Sequence, residues 1–111
     1  MMTLDSLSEY LSDKTGVPFA VFSWSAMPST DFGTVGLTGP DDTVYCDGEL
    51  EHMSAEGYVD LCMASDGTAM MSIVNDALND LEEIAASVDN IWYDKDVHRT
   101  HYVWRIGMVI Q

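Results

Sequence analysis

The longest amphipathic pattern in the sequence lies in the second half of the chain, and it restricts the folds that the chain can adopt. After Asp66-Gly67-Thr68, apolar side chains recur at spacings of three and four residues, with polar side chains between them. The apolar positions are Met70, Met71, Ile73, Val74, Ala77, Leu78, Leu81, Ile84, Ala85 and Val88. This periodicity predicts one long helix of about 20 residues whose apolar stripe faces a core.

A shorter helix is predicted at the start of the chain. Its apolar positions are Leu4, Leu7, Tyr10 and Leu11. Thr3 can cap its first turn, and Ser6-x-x-Glu9 is a possible capping box one turn later. Gly16 stands where a helix C-terminus favours a left-handed residue, so the helix should end there.

The remaining segments indicate strands. They are residues 19–24 (FAVFSW), 32–38 (FGTVGLT), a segment beginning at Val44, and residues 55–64 (AEGYVDLCMA), 90–93 (NIWY) and 100–110 (THYVWRIGMVI). Alternation in residues 100–110 predicts that Tyr102, Trp104, Ile106 and Met108 point to one face and His101, Val103 and Arg105 to the other. Strands joined by short turns favour an antiparallel sheet. We therefore predict a single α+β domain, residues 1–111, in which one short N-terminal helix and one long amphipathic helix pack on one face of an antiparallel sheet. The other face should meet water or another subunit.

The acidity of the chain argues against several classes of partner. Nineteen Asp and Glu residues against four Lys and Arg give a formal net charge of −15, which leaves no basic patch for sequence-specific nucleic-acid binding or for an anionic membrane. The uncharged stretch Gly16–Thr30 contains Pro18 and Pro28 and is too short for a membrane span. The opening residues MMTLDSLSEYL lack the basic region of a signal peptide, so we expect the chain to stay in the cytosol that makes it.

The most acidic stretch is GPDDTVYCDGELEH, residues 39–52. Its carboxylates are Asp41, Asp42, Asp47, Glu49 and Glu51, and His52 follows. These donors suit Ca²⁺ or Mg²⁺, but counting from Gly48 as the sixth position of an EF-hand puts Thr43 first and Ser54 last, so that motif fails. A solvated loop is favoured over a weak divalent ion held between subunits, and we predict no metal site.

Catalytic motifs are absent from the sequence. It has no GxxxxGK[ST], GxGxxG, GxSxG or HExxH pattern, and Cys46 and Cys62 lie in or beside alternating strands, where they favour core packing as separate reduced residues. His98-x-x-His101 lacks a third ligand for zinc and is typical of turn and strand surface. We predict no catalytic residues and no cofactor.

The order of the parts resembles the small tail-completion or tail-terminator proteins of long-tailed bacteriophages. The resemblance rests on the leading helix followed by KTGVPFAVFSW, on Thr15-Gly16-x-Pro18-x-Ala20, and on the closing NIWYDKDVHRTHYVWRIGMVI hairpin with Tyr102-Val103-Trp104-Arg105-Ile106. It implies a structural virion protein, not an enzyme, that is assembled in the bacterial host cytoplasm. It also implies a homo-oligomeric ring, usually of six copies, at the head-proximal end of the tail. There the ring stops the growth of the tail tube and joins the tube to the head connector.

This resemblance suggests roles for the acidic stretch and the aromatics. Asp41, Asp42, Asp47, Glu49 and Glu51 are predicted to lie on an oligomer or channel surface, where carboxylates let DNA slide without gripping it. Trp92 and Trp104 are predicted on the same kind of surface, because tryptophan is enriched where proteins meet. The alternative is an acidic DNA-mimic inhibitor of a host DNA-binding protein, which would use the row Asp76, Asp80 and Glu83 at helical spacing.

Overall fold

The computed structural model describes residues 3–24, 30–40 and 53–110, which form two helices and one five-stranded sheet. In chain order the elements are α1 (Leu4–Thr15), β1 (Phe19–Val21), β2 (Phe32–Pro40), β3 (Met53–Met63), α2 (Thr68–Asn79), β4 (Ile84–Asp94) and β5 (Arg99–Ile110). The predicted α+β class is confirmed. The predicted strand segment at Val44 lies outside the described residues.

The sheet has the strand order β1-β2-β3-β5-β4, so β1 and β4 are its two edges among the described strands. All neighbouring pairs are antiparallel except β1 and β2, which are parallel. The predicted all-antiparallel sheet is therefore wrong at β1. The segment between β1 and β2 is longer than a tight hairpin turn, and the chain returns to the same end of the sheet before β2 begins.

Helix α1 begins and ends as its sequence predicts. Thr3 Oγ1 accepts a hydrogen bond from the backbone N–H of Ser6 at 3.1 Å, and Ser6 Oγ accepts one from the N–H of Thr3 at 2.8 Å. This capping box involves Thr3 and Ser6, one turn before the predicted Ser6–Glu9 pair. Gly16 adopts a φ of 74° and its N–H donates to the Ser12 carbonyl, which ends the helix.

Helix α2 is much shorter than predicted: it has 12 residues and ends at Asn79. The sequence pattern predicts a longer helix because residues four apart, such as Ile84 and Val88, share a face in a strand as well as in a helix. In the structure Ile84 pairs with Met108 and Val88 with Trp104 across β4 and β5. The ladder with β5 therefore prevails over local helix propensity, and the single long helix is wrong.

The core lies between the two helices and one face of the sheet. Its completely buried members include Leu7 and Leu11 of α1, Val74 and Leu78 of α2, and Val59, Leu61, Trp104 and Ile106 of the central strands. The predicted alternation in β5 is confirmed, because Tyr102, Trp104, Ile106 and Met108 are all buried. Hydrogen bonds join these elements: Tyr10 Oη of α1 donates to the Ala77 carbonyl of α2 at 2.9 Å, and the Gly67 N–H at the start of α2 donates to Tyr102 Oη of β5 at 3.1 Å.

Candidate functional site

The face of the sheet that points away from α1 and α2 is the helix-free face. By register and alternation, it carries Phe32 and Thr34 of β2, Glu56, Tyr58, Asp60 and Cys62 of β3, His101, Val103, Arg105 and Gly107 of β5, and Ala85, Ser87, Asn90 and Trp92 of β4. Polar, charged and aromatic groups meet on this face, whereas the opposite face holds the core. The helix-free face is therefore the candidate location of a functional site.

Asp60, His101 and Cys62 form a connected cluster on the helix-free face. His101 Nδ1 lies 2.9 Å from Asp60 Oδ1 and 3.1 Å from Oδ2. Because a carboxylate only accepts hydrogen bonds, Nδ1 carries the proton, and in the neutral imidazole Nε2 is then an acceptor. Nε2 faces the Cys62 Sγ at 3.8 Å. The cluster thus has the order carboxylate, imidazole and thiol.

This order is also that of a cysteine nucleophile with its base, but the surroundings do not suit that chemistry. Cys62 is only 2% exposed, and burial, followed by the charge of Asp60, raises the pKa of its thiol. A reactive cysteine needs a lowered pKa and access to its substrate. Cys62 also lies in a central strand that is paired on both sides, so its neighbours' ladder N–H groups are not free to form an oxyanion hole.

Trp92 covers this cluster from the edge strand. Its ring stacks on the His101 imidazole with centroids 4.2 Å apart and planes 4° apart. Trp92 is still 42% exposed, so it lies at the surface of the described chain. Its place on an oligomer or channel surface stays a prediction. The stack fixes the orientation of the exposed Trp92 ring.

Strand β4 exposes an unusual amount of apolar side chain for an edge strand. Val88, Ile91, Trp92 and Tyr93 are all exposed, between 42% and 57%. A long apolar edge is a template for pairing with another chain, and soluble proteins usually protect such edges with charges, proline or a covering element. The bulge between Val88 and Asn90 interrupts the pairing with β5 but leaves this row uncovered.

Next to the row, the helix-free face has a shallow depression of about 240 Å³. Its lining comprises Glu56, Ala85, Ala86, Ser87, Arg105, Ile106 and Gly107. The space exists because the small residues Ala85, Ser87 and Gly107 lie side by side, and a Cβ added at Gly107 would meet no atom within 4 Å. Arg105 stands at its border, 65% exposed and 3.6 Å from Asp89.

At the opposite edge of the sheet, Phe22 has a strained backbone. Its φ is 65°, and the Ser23 N–H donates to the Val21 carbonyl at 2.8 Å, so Phe22 is the central residue of a tight three-residue turn. A bulky residue with positive φ is a true outlier, at a cost of about 1–3 kcal/mol. The ring of Phe22 is nevertheless 56% exposed, so burial of this side chain within the monomer does not explain the strain.

The structure separates the predicted site residues. Trp104 is completely buried and its indole N–H is bonded to Asn75, so its predicted place on an oligomer or channel surface is wrong. Alternation in β5 directs it into the core. Asp41, Asp42, Asp47, Glu49 and Glu51 lie outside the described residues.

The predicted row of carboxylates for a DNA mimic is not a helical row. Asp76 lies in α2, Asp80 is the residue after its end, and Glu83 lies in the turn before β4. Their spacing therefore does not follow one helix face. His98 lies in the exposed turn between β4 and β5, and its Nδ1 is 3.1 Å from Tyr93 Oη, so the prediction of turn surface there is confirmed.

Sequence reasoning missed the Asp60–His101–Cys62 cluster and the strain at Phe22. The alternation of the strands did place His101 on the face opposite Trp104, but which strand lies beside β5 is not encoded in any local pattern. Among the described residues, no group of three His, Cys, Asp or Glu is arranged to hold a metal ion. None of the helices in the described part of the chain has the length and apolarity that crossing a membrane requires.

The fold and site together define a small α+β protein with an open mixed sheet, helices on one face, and exposed apolar groups at both edges. No known protein-family model matches the chain, and no curated protein is significantly similar to it in sequence.

Proposed function

We propose that this chain is a structural virion protein that joins copies of itself into a ring at the head-proximal end of a phage tail. The ring terminates the tail tube and offers a face to the head connector. The observation that carries the proposal is the apolar row of Val88, Ile91, Trp92 and Tyr93 on the edge strand β4. The order of elements that resembles tail-terminator proteins supplies the biological setting.

The apolar row favours association for a simple energetic reason. Each large side chain removed from water contributes through the hydrophobic effect, at roughly 25 cal/mol per Å² of apolar area. Exposed apolar groups at a strand edge, beside unpaired backbone groups, favour contact with another protein over contact with water.

The two edges of the sheet support a ring over a symmetric pair. β1 has three residues and β4 has 11, so the two edges present different surfaces. A contact between unlike surfaces on two copies leaves one of each surface free, and repetition of that contact closes a ring when the rotation allows.

The net charge of −15 fits a channel for DNA and sets the conditions for assembly. Each phosphate neutralised by Lys or Arg adds affinity through counterion release, so an acidic lumen does not grip the genome. The same charges repel between copies. Screening by salt, which reduces the Debye length to about 10 Å at 0.1 M, should therefore favour assembly.

Two experiments test the proposal. Sedimentation velocity and negative-stain microscopy of the purified chain, at low and high ionic strength and with Mg²⁺, should show rings that increase with screening. Deletion of the gene from a phage that carries it should give tail tubes of uncontrolled length that are not joined to heads, and a plasmid copy should restore normal tails. A chain that stays monomeric in every condition, together with normal tails in the deletion phage, would overturn the proposal.

A further inference from the structure

We infer that the contact between neighbouring copies is made by Phe22 of one copy entering the depression over Gly107 of the next. This inference rests on the proposed function, because it requires copies that associate edge to edge. It names the residues that meet and the direction of the contact.

Phe22 has the properties of a projecting contact group. The strained three-residue turn reverses the direction of the chain directly after β1, and its Phe22 ring is 56% exposed. Glycine would adopt this φ without strain. Strained backbone conformations cluster at functional sites, including sites that bind ligands. Here the strained turn holds the Phe22 ring at the β1 edge of the sheet.

The depression has the size and lining of an aromatic acceptor. Its volume is about 240 Å³, whereas roughly 150 Å³ suffices for a benzene molecule in an engineered apolar cavity. Its floor is made by the small residues Ala85, Ser87 and Gly107. Arg105 at the border can lie against the face of an entering ring, since guanidinium groups bind aromatic faces.

Position and charge identify the occupant as a second copy of this chain. Phe22 lies at the β1 edge, whereas the depression lies over β4 and β5, towards the other end of the strand order. Trp92, one member of the apolar row, lies on the same helix-free face as the depression, whereas Val88, Ile91 and Tyr93 alternate to the other face of β4. Arg105 is one of four cationic residues in a chain of net charge −15, so it attracts an acidic neighbour to this edge.

The test uses two variants of the full chain. Phe22→Gly removes the ring and suits the positive φ, so it should fold at least as stably as the original chain. Gly107→Phe fills the depression from its own strand, where a Cβ has free space. Each variant alone should lose association about tenfold or more, measured by sedimentation velocity under the conditions in which the original chain assembles. Val97→Asp is the control, because Val97 is 44% exposed in the β4–β5 turn and outside both patches.

Mixing the two variants gives the decisive result. The Gly107→Phe chain keeps its Phe22 and the Phe22→Gly chain keeps its depression, so an equal mixture should form dimers that cannot grow into rings. No dimers in the mixture would overturn the inference, as would variants that assemble like the original chain. If the inference fails in either of these two ways but the original chain still assembles, the proposed function stands. If the original chain never assembles, the inference and the proposed ring fall together. Circular dichroism confirms that each variant is folded before it is scored.

Discussion

The indole Nε1 of Trp104 donates a hydrogen bond to Oδ1 of Asn75 over 3.1 Å and so joins the centre of β5 to α2. Trp104 is completely buried, and a buried N–H group without a partner costs free energy. The polar side of α2 thus supplies the one group that lets the largest core side chain be buried. Asn75 is therefore part of the fold, although its position in the helix is typical of a solvated face.

The first prediction concerns this bond. Asn75→Ala leaves the buried indole N–H without its acceptor and should lower the free energy of unfolding by about 1–3 kcal/mol. Urea denaturation followed by tryptophan fluorescence measures the change. Asn79→Ala is the matched control, since Asn79 is exposed in the same helix and should change stability by no more than about 0.5 kcal/mol. Equal midpoints for the two variants would show that the bond contributes nothing.

The sequence predicted those parts of the fold that depend on residues close together in the chain. The caps of α1 and the alternation of β5 depend on neighbours in the chain, so they could be predicted. The end of α2 could not, because Ile84 and Val88 satisfy the helical and the strand period alike and only the ladder with β5 decides between them.

The candidate site was less predictable because it depends on contacts between strands that are distant in the chain. Asp60 and Cys62 meet His101 because β3 and β5 are neighbours in the sheet although α2 and β4 separate them in the chain. From its residue type Trp92 was predicted on an oligomer or channel surface; its side chain is exposed, and the contact with another copy stays a prediction. The same reasoning failed for Trp104, since residue type does not determine the direction of a side chain from its strand.

A second prediction compares two strand glycines. A Cβ at Gly57 would lie 2.3 Å from the backbone oxygen of Gly36 in the neighbouring strand, whereas a Cβ at Gly107 would meet nothing within 4 Å. Gly57→Ala should therefore destabilise the protein by about 1–3 kcal/mol, because backbone atoms must move apart. Gly107→Ala should be neutral or stabilising by up to about 1 kcal/mol, since it restricts the unfolded chain. Thermal unfolding of both variants measures the difference, and a similar loss in both would contradict the packing described around Gly57.

A third prediction follows from the Cys62 thiol. Burial and then the charge of Asp60 raise its pKa above the ordinary value of 9.0. The unfolded chain therefore releases this proton at a lower pH than the folded chain does. The stabilising contribution is complete at neutral pH and is lost as the pH rises above 9.0 and through the pKa of the folded state.

The measurement is the free energy of unfolding from neutral to alkaline pH for the original chain and for Cys62→Ala. Both share Cys46 and every tyrosine and lysine, so the difference between the two curves isolates Cys62. The original chain should lose stability more steeply at alkaline pH. A difference that stays constant with pH would mean that the thiol is not desolvated in the folded state.

The fourth prediction tests the β4 edge by comparing two isoleucines of similar exposure. Ile91 in β4 is 49% exposed and Ile73 in α2 is 44% exposed, so replacing either by lysine should cost the monomer a similar, small amount of stability. Ile91→Lys places a solvated charge in the apolar row and should weaken self-association by about tenfold or more, because a lysine ammonium is costly to bury without a partner. Ile73→Lys should leave association unchanged apart from the small gain expected when one positive charge is added to a strongly acidic chain. Sedimentation velocity at several concentrations distinguishes the two variants. Equal association constants for both would show that copies do not meet through β4, and the edge would then need another partner to explain its exposed apolar row.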